Sequence, residues 1–176
     1  MLTGTRTAVD EAHLTVPQVE MLEERPYAAI RVQGKMVDLP EFAPPKFADL
    51  YGWLEKRGIT GGAGFFRYLG FTADGGVDLE VGALLDAPVA GDGIVTSGTL
   101  PAGRHIGATY TGHYDRLFDA FCMMSGWLRG HGLEADESIT EDGRSPAAQI
   151  EIYRVTPNDT PEPASWKTEI LLKLRD

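Results

Sequence analysis

The chain has a single cysteine, no long apolar run and no cluster of basic residues, and each shortage removes a class of function. Cys122 alone cannot form an intrachain disulfide, and its setting in Ala120-Phe121-Cys122-Met123-Met124 reads as a core thiol rather than a catalytic one. No stretch approaches the roughly 18 apolar residues of a membrane span. The first twenty residues carry Asp10, Glu11 and Glu20 without a continuous apolar segment, so no signal peptide is expected and a cytoplasmic setting is. Lys and Arg number 16 against 26 Asp and Glu, a formal charge of -10. With the basic residues scattered, that balance argues against a nucleic-acid partner, and an acidic field favours cationic ligands.

Other chemistries also lack their residues. His13, His105, His113 and His131 show no metal-ligand spacing and have no cysteine pair beside them, so no metal or other cofactor is expected and most of the histidines read as surface or turn residues. Gly61-Gly62-Ala63-Gly64 lacks the Gly-Lys-Ser/Thr ending of a phosphate loop and reads as a flexible turn. Neither Ser97 nor Ser125 sits in a G-x-S-x-G elbow.

What the chain does contain is a repeat. Apolar residues make up 43% and charged residues 24% of 176 positions, enough for one domain that buries roughly 70% of its unfolded surface. Leu22 to Gly34 and Leu100 to Gly112 are both thirteen residues long, begin with Leu, and carry a strand-like run before the final Gly. Gly52-Trp53-Leu54 with Gly58 then matches Gly126-Trp127-Leu128 with Gly132. The two matches occur in the same order at offsets of 78 and 74.

The pattern within each copy is strand, helix, strand, strand. Phe47, Leu50 and Leu54 share a helix face, and Leu117, Phe121, Met124 and Leu128 repeat the spacing. Pro44-Pro45 and Asp115 suit helix starts, while Gly58 and Gly132 suit the left-handed position that follows a helix. Phe65 to Phe71 and Val77 to Val81 flank Asp74-Gly75-Gly76 as a hairpin. Gln149 to Val155 and Trp166 to Leu172 supply the matching strands. The expected organisation is a tail over 1–17, a first half over 18–86, a linker over 87–93 and a second half over 94–176. The fold class is α+β, two tandem modules about a pseudo-twofold axis, with antiparallel sheets forming a concave ligand cleft.

Glu80 in Asp78-Leu79-Glu80-Val81 corresponds to Glu169 in Lys167-Thr168-Glu169-Ile170. Alternation turns each Glu away from its apolar neighbours, either to solvent or, in a two-fold arrangement, toward a groove between the halves. Phe66, Tyr68, Tyr153 and Trp166 lie on the same or paired strands. A carboxylate among aromatics suits a flat cation, with cation–π contact worth roughly 0.5–2 kcal/mol. Trp53 and Trp127 read more simply as packing residues.

The second half resembles the GyrI-like small-molecule-binding family, found also as the effector domain of AraC-type and MerR-type transcription regulators. The resemblance rests on Pro101-Ala-Gly-Arg104, Thr111-Gly-His-Tyr-Asp115, Gly126-Trp127-Leu128 with Gly132, and Trp166-Lys-Thr-Glu-Ile170. The first half matches more weakly, through Val32-Gln33-Gly34, Trp53-Leu54 and Val77 to Gly82, and together they cover most of residues 18–174. His113 stands where many relatives have Pro. The resemblance implies a cleft on the pseudo-twofold axis, with Glu169 as the acidic residue that meets cationic aromatic drugs. Trp166, Tyr153, Tyr114, Glu80, Phe66, Tyr68 and Trp127 are the further candidates for contact. With only about 18 residues upstream and no helix-turn-helix among them, a stand-alone multidrug binder is expected rather than a regulator.

The alternative that the resemblance allows is a hydrolase that adds water across the cyclopropane of DNA-alkylating natural products. Glu169 is then the acid or base, and Tyr153 or Tyr114 the proton donor. Inhibition of DNA gyrase, the role of the family's namesake, has no supporting feature in the sequence.

Overall fold

A computed structural model describes residues 13–176. Residues 1–12 of the expected tail lie outside the described residues. The described chain is mixed α and β and dominated by antiparallel strands, and its elements follow one another in an order that repeats.

The first edge strands are β1 (His13–Leu14) and β2 (Gln18–Leu22). Next come β3 (Arg25–Lys35), the short helix α1 (Leu39–Phe42), α2 (Lys46–Glu55), β4 (Gly64–Thr72) and β5 (Gly76–Leu84). After β6 (Thr96–Leu100), the second copy runs β7 (Gly103–Thr111), α3 (Leu117–Gly130), a hairpin of β8 (Glu137–Thr140) and β9 (Gly143–Pro146), β10 (Gln149–Val155) and β11 (Lys167–Lys173). Among the described residues, one sheet holds these strands in the order β1-β7-β11-β10-β4-β5-β3-β6. Each copy thus places its last strand between its first two, and β10 meets β4 at the centre in antiparallel register, Glu151 opposite Phe66.

Helix faces explain which side of the sheet the helices cover. Leu117, Ala120, Met124 and Leu128 are the buried residues of α3, spaced to make one stripe, and they pack on Ile106, Ala108, Ile170 and Leu172. Leu50 and Leu54 of α2 pack on Ala28, Ile30 and Ala83. Gly58 and Gly132 follow their helices at φ 66° and 65°, the left-handed conformation that glycine adopts without a Cβ clash.

The sheet is also curled. Only Glu23 and Glu24 separate β2, which pairs with β7, from β3, which pairs with β5 and β6. A flat sheet would set β2 and β3 roughly 29 Å apart at about 4.8 Å per strand, whereas three residue steps span only about 10 Å. The curl brings Leu22 and Leu100 onto a second core with Tyr27, Phe65, Ile150 and Leu171, on the face opposite the helices. Both faces of the central strands are therefore buried.

Three expectations differ from the structure. Cys122 is exposed, because the stripe that carries Leu117, Ala120 and Met124 turns its neighbour away from the sheet. His105 is a core residue, its Nδ1 3.0 Å from the Gly103 carbonyl. The glycine run before β4 is pinned rather than loose: Gly62 N–H donates to Leu84 O at 2.7 Å and its carbonyl accepts from Tyr51 OH at 2.7 Å.

Candidate functional site

Strand periodicity puts Gln149, Glu151 and Tyr153 of β10 on the face that carries the helices. The register aligns Gln149 with Tyr68 and Glu151 with Phe66 on β4, so five polar and aromatic side chains share one patch at the centre of the sheet. The helices α2 and α3 stand on either side of that patch and leave a cavity of about 2040 Å³ between them. Its walls are largely apolar, including Pro44, Phe47 and Ala48 on one side and Phe118, Phe121 and Cys122 on the other. The β8–β9 hairpin borders it too, through Ile139 and Arg144.

Glu151 is the centre of this floor. The residue is 4% exposed, and both carboxylate oxygens accept from phenols: Tyr68 OH donates to Oε1 at 3.1 Å and Tyr153 OH to Oε2 at 2.9 Å. Burial pushes its pKa up to about 7, against the opposing pull of the two tyrosine hydrogen bonds. The phenols of Tyr68 and Tyr153 are held well above their ordinary value, by burial first and by the neighbouring carboxylate second. No Lys, Arg or His forms an ion pair with Glu151 among the described residues. A buried carboxylate with hydrogen-bond donors but no counter-cation is ready to take a positive charge, or a proton near neutral pH.

Rings extend from the carboxylate in a continuous wall. Phe47 stacks on Phe66 at 5.5 Å, and both meet the edge of Tyr153. Tyr153 meets Tyr114 at 5.6 Å, and Tyr114 stacks on Trp166 at 5.0 Å. Trp166 is fixed in turn, its Nε1 donating to Thr160 O at 2.9 Å. On the other side Tyr68 stacks on Phe71, which carries the Arg144 guanidinium 4.5 Å above its ring. Arg144 is itself held by Glu137 at 2.7 Å.

The structure brings Phe66, Tyr68, Tyr114 and Tyr153 together on the cavity, and Trp166 behind Tyr114. It places the other candidates elsewhere. Glu169 pairs with Ile152, on the face away from the helices, and is bound by Arg154 at 2.6 and 2.8 Å. Glu80 lies on that same far face, accepting from Tyr27 OH at 2.6 Å with Arg67 3.8 Å away. Neither carboxylate lines the cavity. Trp127 stacks on His131 at 3.9 Å at the end of α3 and also lies off the cavity lining. Sequence reasoning does not single out Glu151 or Gln149, because alternation with Ile150 and Ile152 does not say which face of the strand is covered. The available signal was the pairing of Glu151-x-Tyr153 with Phe66-x-Tyr68, two short period-2 patterns rich in rings.

Comparison with known proteins agrees with this architecture. The C-terminal domain of EcmrR is 16% identical, with a TM-score of 0.68 over 92% of this chain and 98% of that one. The chain spans 58% of the EcmrR chain seen in its complex with DNA. A hydrolase from Listeria innocua is 13% identical, with a TM-score of 0.60 over 90% of this chain and 91% of that one. SAV2435, solved bound to tetraphenylphosphonium, is 9% identical, with a TM-score of 0.57 over 92% and 94% of the two chains. No curated protein sequence matches significantly. The family model for the GyrI-like small molecule binding domain matches residues 15–175, nearly the whole chain. The chain belongs to the GyrI-like small molecule binding domain family.

Proposed function

We propose that the cavity binds bulky aromatic cations, with the Glu151 carboxylate as counter-charge and the Phe47–Phe66–Tyr153–Tyr114 wall as the stacking surface. The observation that carries this reading is Glu151 itself: a carboxylate buried among rings, held by two phenols and paired with no cation. Removing such a charge from water is costly unless a partner compensates it, and an aromatic cation supplies both the charge and the apolar surface. Tetraphenylphosphonium, seen on SAV2435, belongs to that chemical class. Capture of such compounds amounts to multidrug binding and drug sequestration.

Fluorescence titration with a cationic dye and a neutral aromatic of similar size tests the reading. Glu151→Gln is expected to lower affinity for the cation while leaving the neutral compound nearly unchanged. Equal loss for both, or none for either, contradicts the assignment.

The same carboxylate favours a second reading, hydrolysis, since a group that titrates near 7 is suited to proton transfer at neutral pH. For a cyclopropane conjugated to a carbonyl, a water oxygen bonds to a ring carbon while Glu151 takes the water proton. The ring carbon–carbon bond breaks, its electron pair moves to the carbonyl oxygen, Tyr153 or Tyr114 protonates that oxygen, and the phenolate then recovers the proton that Glu151 took from water. The product gains one water, which mass spectrometry detects. Turnover by the wild type that is lost in Glu151→Gln, with binding retained, selects this reading over sequestration alone.

A further inference from the structure

Beside Glu151 the floor of the cavity contains a second buried polar residue, Gln149, whose side chain bonds to no protein group among the described residues. Gln149 is 6% exposed and lines the cavity. Its situation contrasts with that of its neighbours. The hydroxyls of Tyr68 and Tyr153 are both committed to Glu151, and that of Tyr51 to the Gly62 carbonyl. The amide presents an acceptor and two donor hydrogens to the cavity rather than to the protein, so a ligand group with matching donors and acceptors can pair with all of them. Strand geometry fixes where that partner sits. Gln149 and Glu151 are two residues apart on the same face of β10, so their side chains leave the backbone about 7 Å apart.

We propose that Gln149 is a specificity-determining residue for the ligand seated at Glu151, reading an amide-like group placed about 7 Å from the ligand's positive centre. The ligand class is then an aromatic cation with a carboxamide, lactam or urea edge, groups that both donate and accept as the glutamine does. The cavity has room for it: at about 2040 Å³ it is larger than the roughly 300–1,000 Å³ that holds a single drug-sized molecule. Among the lining residues Gln149 and Glu151 are the buried polar pair on the floor, and they set the orientation, one by hydrogen bonding and one by charge. This inference rests on the cation-binding reading of Glu151.

The test uses two probes of equal charge and similar size, tetraphenylphosphonium carrying a para-carbamoyl group on one ring and its para-methyl counterpart. Dissociation constants are measured for the wild type, Gln149→Met and Glu151→Gln. The wild type should prefer the carbamoyl probe roughly three- to tenfold, the range of a net hydrogen bond. Gln149→Met should erase that preference while the methyl probe still binds, which shows that the variant's cavity is formed. Glu151→Gln should weaken both probes together and keep the preference. A wild type that binds both probes equally, or a Gln149→Met variant that keeps the preference, overturns the role of Gln149 and leaves the cation reading standing. If neither probe binds the wild type, the cation reading fails and this inference with it.

Discussion

Tyr153 donates to Glu151 from two residues along the same strand at 2.9 Å, while Tyr68 reaches the other carboxylate oxygen from the neighbouring strand at 3.1 Å. The two phenols hold both oxygens of the carboxylate and favour its charged form, against burial that favours the neutral one. The balance between those effects governs several measurable properties.

Removing either phenol should shift that balance toward the neutral acid. A hydrogen bond to a charged group contributes about 1.5–3 kcal/mol, so Tyr153→Phe and Tyr68→Phe should each raise the apparent pKa of Glu151 by about one unit or more. Cation affinity at pH 7 should fall by roughly tenfold in each variant and recover in part by pH 9. A loss that does not vary with pH would mean that the phenols act through shape alone.

Stability should depend on pH through the same group. The folded pKa of Glu151 is raised from 4.5 to about 7, so the folded state holds its proton more tightly than the unfolded chain. Below pH 4.5 both states are protonated and Glu151 imposes no penalty. Between 4.5 and 7 the unfolded chain gives up its proton first, so stability falls as pH rises, and above 7 the loss is constant. The full loss is on the order of 3 kcal/mol. Glu151→Gln should therefore melt several degrees above the wild type at pH 8, and the two should converge toward pH 4.5. Identical melting temperatures at pH 8 would contradict the burial of a charge.

The centre of the sheet has its own test, independent of any ligand. A Cβ at Gly82 would lie 2.2 Å from Cζ of Phe65, a ring buried against Tyr27 across the curl of the sheet. Gly82→Ala should destabilise the fold by about 1–3 kcal/mol, the usual cost of overpacking. Gly126→Ala, where a Cβ meets nothing within 4 Å on the helix α3, should instead be neutral or slightly stabilising. Denaturant midpoints of the two variants, compared with the wild type, report both directions.

The helices and the central strands were legible because their signals are local. Leu50 and Leu54, and Met124 and Leu128, keep one face, Gly58 and Gly132 end the helices, and Asp74-Gly75-Gly76 turns the hairpin into β5. What alternation could not show is which side of a strand is wet, because the curl buries one face and the helices cover the other. Ile150 and Ile152 face the core with Phe65, and Glu151 between them faces not solvent but the cavity. For the same reason Glu169 was set in the cleft by analogy, whereas its register with Ile152 turns it to the far face and to Arg154. The β8–β9 hairpin carries no strong strand propensity in Glu137–Thr140 and Gly143–Pro146. It is held by the pairing of Phe71 with Arg144, a contact no local pattern encodes.

The most direct test of the central claim is proton release on cation binding. Calorimetric titration with tetraphenylphosphonium at pH 6, in two buffers of different ionisation enthalpy, counts the protons lost per ligand bound. If Glu151 is the counter-charge, it is mostly protonated at that pH and must ionise to pair with the cation. Release should then approach one proton, vanish by pH 9, and be absent in Glu151→Gln but unchanged in Glu169→Gln. Binding with no proton release at pH 6, or release that survives Glu151→Gln, would contradict the account.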